Sequence, residues 1–389
     1  MTAAQAPATT ATTADPPALA EAPVRARPAA EDRAATELVF SAWSALSPFG
    51  TGAEAFRAGV RAAESAVAAL DQEQYPGPYR QGGLVPGFTA AGALGRKGTR
   101  SMDRVTALAV ATFGRLLDGC GPALLARPDR VGLVLGTGSG SVQSIMDFTR
   151  DSLTGDRPYL VDPARFPNTV MNRAAGQSAI WHGIKGPNST IAGGSLTGLL
   201  ALGYAARLYR GGHCDRVLCG AAEEYSVQRA WLEWHAAGEG HRPPLGEGGV
   251  AWLLEPAEEA RAAGRPAPAR LLGTRFRAYH RPEEAGPALT ACVRAALADA
   301  GAAAADVRLV APLGADGEEE ALRAALPAGA QPAWIRCRPL LGDTSAAATG
   351  LQLAAVLAAA DEGGLPPGAT ALVTAIDRDG TVGCALLGG

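Results

Sequence analysis

A run of small residues, Ala192-Gly193-Gly194-Ser195-Leu196-Thr197-Gly198, stands between a short apolar strand pattern and an Ala/Leu-rich helical stretch. A hydroxyl placed there sits at the positive end of a helix beside free backbone N–H groups, which suits a nucleophile with an oxyanion hole. The same position suits an N-cap, because Ser accepts a hydrogen bond from N2 or N3. For Ser195 the N-cap reading takes precedence. An attacking Ser also needs a base. The histidines are His182, His213, His235, His241 and His280, and none lies in a Gly-flanked strand-end loop of the second half. Gly193-x-Ser195-x-Thr197 lacks the last Gly of the hydrolase elbow GxSxG, and no HGGG-like segment precedes it. Gly136-Thr137-Gly138-Ser139-Gly140-Ser141 reads GxGxG, not GxGxxG, with no acidic residue closing a partner strand. It is a tight strand-to-helix turn.

Composition narrows the partners. A net charge of -3 and a pI near 6.0 exclude nucleic acid as a main partner, since phosphate binding needs a basic surface. The longest uncharged stretch, Gly186 to Ala206, holds Pro187, Asn188 and several Gly and Ser/Thr, so it is not a membrane span. Cys120, Cys214, Cys219, Cys292, Cys337 and Cys384 form no CxxC pair and signal neither a zinc site nor a disulfide framework. They read as small core residues in a protein of the reduced cytoplasm. Neither a metal nor an organic cofactor is expected.

The elements that would position this chemistry alternate along the chain of 389 residues. Residues 1–36 are Ala/Pro/Thr-rich and are expected to be a disordered tail, because they cannot repay ordering entropy by burial. Apolar runs predict strands at Leu38–Ala45, Val131–Leu135, Val217–Gly220, Val250–Leu254, Leu271–Phe276, Val307–Ala311, Ala333–Cys337, Ala371–Ile376 and Val382–Leu387. Helices are predicted at Ala53–Leu70, Asp103–Leu117, Leu196–Tyr209, Glu283–Ala300 and Thr344–Ala360. The same order of elements occurs twice, with the helices at 196 and 344 as counterparts. Each of these two follows a small-residue turn, Gly193-Gly194-Ser195 or Gly342-Asp343-Thr344, so a pseudo-twofold would aim both helix N-termini at one pocket. The fold class is α/β, with helices packed on sheet faces.

One set of motifs carries a resemblance. Gly186-Pro187-Asn188-Ser-Thr-Ile-Ala-Gly-Gly-Ser195-Leu-Thr-Gly198 is similar to the β-ketoacyl synthase stretch GP-x-x-x-I-x-x-A-C-x-S-G, whose Cys is the nucleophile. Phe166-Pro-Asn-Thr-Val-Met-Asn172-Arg-Ala-Ala-Gly-Gln resembles the family's P-x-x-x-x-N-x-x-A-G segment. Arg207 to Glu223 resembles its following helix, G-x-x-D turn and GGAE strand end, and Leu245 to Glu255 resembles GEGAGMLVLE. The resemblance runs in family order over the whole globular part. It implies a duplicated thiolase-type fold, two packed α/β halves layered α-β-α-β-α, with boundaries at 37–256 and 257–389 and a dimer through the central sheets.

The resemblance breaks at the chemistry. Ser195 stands at the family's Cys, while Leu313 and Asp343 stand at its two His and Arg338 at its Lys. The Gly/Phe gating loop is replaced by Ile376-Asp-Arg-Asp-Gly-Thr-Val-Gly383. A Leu neither donates nor accepts a hydrogen bond, and an ionised Asp repels an enolate. Losing such donors costs roughly 2.7–4 kcal/mol each in acyl-transfer sites. The resemblance therefore implies a catalytically degenerate relative, the chain-length factor or ketosynthase β-subunit, heterodimeric with an intact ketosynthase α-subunit. Its other partner would be an acyl carrier protein, whose phosphopantetheine arm carries the substrate. Gly198 and Leu199 are expected on the tunnel side of the helix after Ser195, with Arg338 near the pocket. The alternatives are a stand-alone Ser195 acyltransferase or malonyl-carrier-protein decarboxylase, and a homodimeric scaffold without chemistry.

Overall fold

The computed structural model describes residues 33, 35–238 and 242–389. Most of the expected tail, and His241, lie outside them. Arg33, however, is anchored: its guanidinium meets Asp215 at 3.0 Å and the Cys214 carbonyl at 2.9 Å, over the Tyr209 ring. With 4% exposure it packs into the body.

The strands of the first half are β1 (Leu38–Ser47), β2 (Val131–Gly136), β3 (Asn188–Ile191), β4 (Arg216–Glu223) and β5 (Gly248–Pro256). Those of the second are β6 (Ala269–Ala278), β7 (Val307–Pro312), β8 (Ala333–Trp334), β9 (Thr370–Asp377) and β10 (Thr381–Gly388). They lie in one 11-stranded sheet in the order β8-β7-β9-β10-β6-β1-β5-β4-β2-β3, with Gly50–Thr51 paired onto β1. Each half repeats one scheme: third, second, fourth, fifth, first. Parallel pairing joins the first three of these and antiparallel pairing the rest. The halves meet where β1 pairs β6, Val39 opposite Arg270 and Phe40 opposite Ala269.

Side chains alternate along these strands and both faces are buried. In β4, Val217, Cys219 and Ala221 enter the central core, while Leu218 and Ala222 enter an outer one. In β9, Ala371, Val373 and Ala375 point to the central core and Leu372 and Ile376 to the opposite outer core. In the central core, against strands of both halves of the sheet, lie α1 (Thr197–Arg210) and α2 (Ala348–Asp361). The second is apolar on every side, as a helix sealed in a core must be. Outer helices Arg104–Cys120 and Arg173–His182 cover the first half, and Ala285–Asp299 and Glu318–Ala325 cover the second. This is the layered, duplicated fold.

Some boundaries differ from expectation. The helix from Ala53 ends at Ala62, because Ala63 adopts φ 54° and the chain then docks on the second half, Ser65 donating to the Pro339 carbonyl. The strand from Ala333 stops at Trp334, and the chain turns into the short helix Arg338–Leu341. Among the described residues, no helix is long and apolar enough to cross a membrane.

Candidate functional site

Both central helices begin through a 3-10 turn, Gly194–Leu196 before α1 and Ser345–Ala347 before α2, and the two turns pack together. The first turn is tied by Thr197, whose Oγ1 accepts from the Gly193 N–H at 2.9 Å and donates to the Gly194 carbonyl at 2.7 Å. Ser195 caps no helix: neither α1 nor the turn before it has a side-chain cap. The Ser195 N–H instead donates to Asp377 Oδ2 at 2.6 Å, across the two halves of the chain. Its carbonyl accepts from Thr349 Oγ1 at 3.1 Å, and the same oxygen of Thr349 accepts from the Leu199 N–H.

Leu313 and Asp343 come together, with Arg338, around one cavity also lined by Cys337, Leu341 and Gln352. Its volume is about 10 Å³, room for roughly one water. Ser195 is not among its walls. Arg338 donates to Asp343 Oδ2 at 2.6 Å, and the Ser345 N–H reaches Oδ1 at 2.9 Å. Burial would raise the Asp343 carboxyl, but Arg338 and the Ser345 N–H outweigh it and hold it below the usual carboxylate range. It is an ionised group, paired with Arg338.

Leu313 follows β7, and its position is set from behind by Glu318. That carboxylate accepts from the N–H groups of Leu313, Gly314 and Ala315 and from the Thr374 hydroxyl. Burial pushes Glu318 up to about 7 against these donors. Gln352 on α2 donates to the Ala311 and Thr374 carbonyls, clamping β7 and β9 beside the cavity.

Gly198 and Leu199 are both buried, Gly198 against the second central helix, and neither lines the Leu313–Asp343 cavity. A Cβ on Gly198 would lie 2.5 Å from the Gly350 nitrogen, so this glycine sets helix spacing.

Sequence reasoning passed over Asp377, Glu318 and Gln352. For Asp377 a signal existed: an acidic residue ends the last parallel strand where the related loop carries Gly and Phe. Glu318 and Gln352 have no such mark, being a Glu in an acidic run and a Gln in an apolar helix.

The comparisons agree with this geometry. Residues 37–260 match the family described as beta-ketoacyl synthase, N-terminal domain. A polyketide beta-ketoacyl synthase 2 of Streptomyces virginiae is 31% identical over 342 residues, covering 79% of this chain and 81% of that protein. The 3-oxoacyl-[acyl-carrier-protein] synthase 2 of Vibrio cholerae is 28% identical over 290 residues, 68% and 69% of the two chains. Among solved structures, the ishigamide ketosynthase/chain length factor superposes with a TM-score of 0.83 at 43% identity, over 90% of this chain and 99% of that one. A β-ketoacyl synthase from Burkholderia phymatum, at 19% identity and a TM-score of 0.79, shares the fold over 90% of this chain and 99% of its own. With its repeated five-strand scheme, paired central helices and matched sequence, the chain belongs to the β-ketoacyl synthase family.

Proposed function

We propose that the chain is a chain-length-factor (ketosynthase β) subunit, catalytically degenerate, that pairs with an intact ketosynthase in a type II polyketide or fatty-acid-like system. The carrying observation is the cavity at Leu313 and Asp343, which has an aliphatic wall and a carboxylate already paired with Arg338. It offers no imidazole to stabilise an enolate. Condensation then belongs to the partner's site. The acyl carrier protein serves that site, presenting its phosphopantetheine arm to the pair in the cytoplasm.

The surface supports a partner. Strand β3 is the open edge of the sheet, and an unpaired edge is a template for another chain. On it packs the helix Arg173–His182, which exposes Ile180. That helix touches the turn Pro163–Thr169, with exposed Phe166; the turn touches the helix Val142–Thr154, with exposed Leu153; and this helix touches Val227–Ala236, with exposed Leu232. Apolar patches of this kind mark association sites. The 43% identity to a ketosynthase/chain length factor fits the same reading.

The test is co-expression with an intact ketosynthase from the same genome. A 1:1 complex that elongates acyl carrier protein-bound chains, with neither subunit active alone, is the expected result. A stable homodimer that ignores the ketosynthase, or condensation by this chain alone, overturns the reading.

A further inference from the structure

Asp377 ends β9 and is 4% exposed. Its Oδ2 takes the Ser195 N–H at 2.6 Å, its Oδ1 takes the Asp379 N–H at 2.9 Å, and its carbonyl accepts from the Tyr279 hydroxyl. The fit is close on the far side as well. Gly194 has φ +55°, and a Cβ there would stand 2.2 Å from Asp377 Oδ2. A side chain on residue 194 and this carboxylate cannot coexist.

The occupied N–H has a specific chemistry. When a nucleophile at a helix start attacks a carbonyl, negative charge grows on the carbonyl oxygen, and a backbone N–H beside the nucleophile is the donor placed to stabilise it. Here that donor is committed to a resident anion. A carboxylate at that point also repels a thiolate or alkoxide on residue 195, since like charges at close range disfavour the charged form.

We propose that Asp377 is a built-in anion that fills the acyl-oxyanion position at Ser195, so that this site is silenced by an occupied donor as well as by the lost Cys. The proposal rests on the degenerate-subunit reading and adds a residue that enforces it. Restoring a thiol alone is then insufficient.

The experiment uses the full-length chain, with whatever partner co-purifies, in three variants: Ser195→Cys, Ser195→Cys/Asp377→Asn and Ser195→Cys/Asp377→Ala. Each is exposed to p-nitrophenyl octanoate. The thiolate attacks the ester carbonyl, a C–S bond forms, the C–O bond breaks, and p-nitrophenolate leaves. Acylation is read by mass on the peptide that contains position 195, so other thiols do not count. The expected order is Asp377→Ala fastest, Asp377→Asn between, and Ser195→Cys alone slowest, with about 100-fold between the extremes. The Asn variant keeps an acceptor but removes the charge, and it carries the test if the Ala variant fails a circular-dichroism folding check. Equal acylation of the folded variants, or none in any, overturns the role of Asp377. Acylation of Ser195 in the unaltered chain overturns the degenerate-subunit reading instead.

Discussion

Gly198 on α1 and Gly350 on α2 meet where the two central helices cross, so closely that a Cβ on Gly198 would fall 2.5 Å from the Gly350 nitrogen and 2.8 Å from Thr349 Oγ1. Backbone cannot yield as a flexible side chain can. Gly198→Ala should cost roughly 1–3 kcal/mol and Gly198→Leu roughly 3 kcal/mol or more, by forcing the helices apart. Urea denaturation checks this. A Gly198→Leu chain of wild-type stability with a shortened product would return residue 198 to a tunnel wall.

Ser195→Ala should change stability by no more than about 0.5 kcal/mol, because no hydrogen bond of the described residues uses Ser195 Oγ. Thr197→Ala should cost roughly 1–2 kcal/mol, since its hydroxyl bonds both Gly193 and Gly194. Thermal melts of the two variants side by side distinguish the hydroxyl that ties the turn from a bystander.

Arg338→Met strands the Asp343 carboxylate and should cost roughly 1–3 kcal/mol. Adding Asp343→Asn should recover part of that loss. A double-mutant cycle measures the coupling, and strict additivity would show that the pair does not interact.

Asp215 gives the acid response a defined origin. Burial would raise its carboxyl, but Arg130 and Arg33 hold it at about 2. A depressed carboxylate contributes stability above its unfolded value near 3.8 and loses it as the pH falls toward 2. The contribution is roughly 2 kcal/mol at neutral pH. Asp215→Asn should therefore lower the urea midpoint at pH 7 and flatten its fall between pH 4 and 2.

Ile180→Arg and Phe166→Glu alter exposed side chains, at 75% and 56%, beside the open sheet edge. Both should abolish the 1:1 ketosynthase complex in size exclusion while leaving the melting temperature of the isolated chain unchanged. Retention of the complex would move the interface to another face.

The strands with alternating, doubly buried apolar residues, such as Val217 to Ala222, were legible because burial on both faces needs an unbroken apolar run. The repeat of elements was legible for the same reason. Strand β3, Asn-Ser-Thr-Ile, showed only as a short strand before the turn at 192, without bounds, since an edge strand needs few apolar residues. The turn at 136–141 announced a helix, but not its extent, because Met146 and Leu153 face outward and break its stripe. Ala63 in the left-handed region left no trace in residue type. At the site, the resemblance marks Ser195, Leu313 and Asp343 as replaced positions. The pairing of Ser195 with Asp377 could not, because it joins residues 182 apart in sequence through the packing of two halves.

The clamp on Arg33 decides where the chain can be cut. A protein shortened to begin at Glu37, the natural choice from composition, deletes the guanidinium that meets Asp215, Cys214 and Tyr209. Beginning a few residues before Arg33 keeps it.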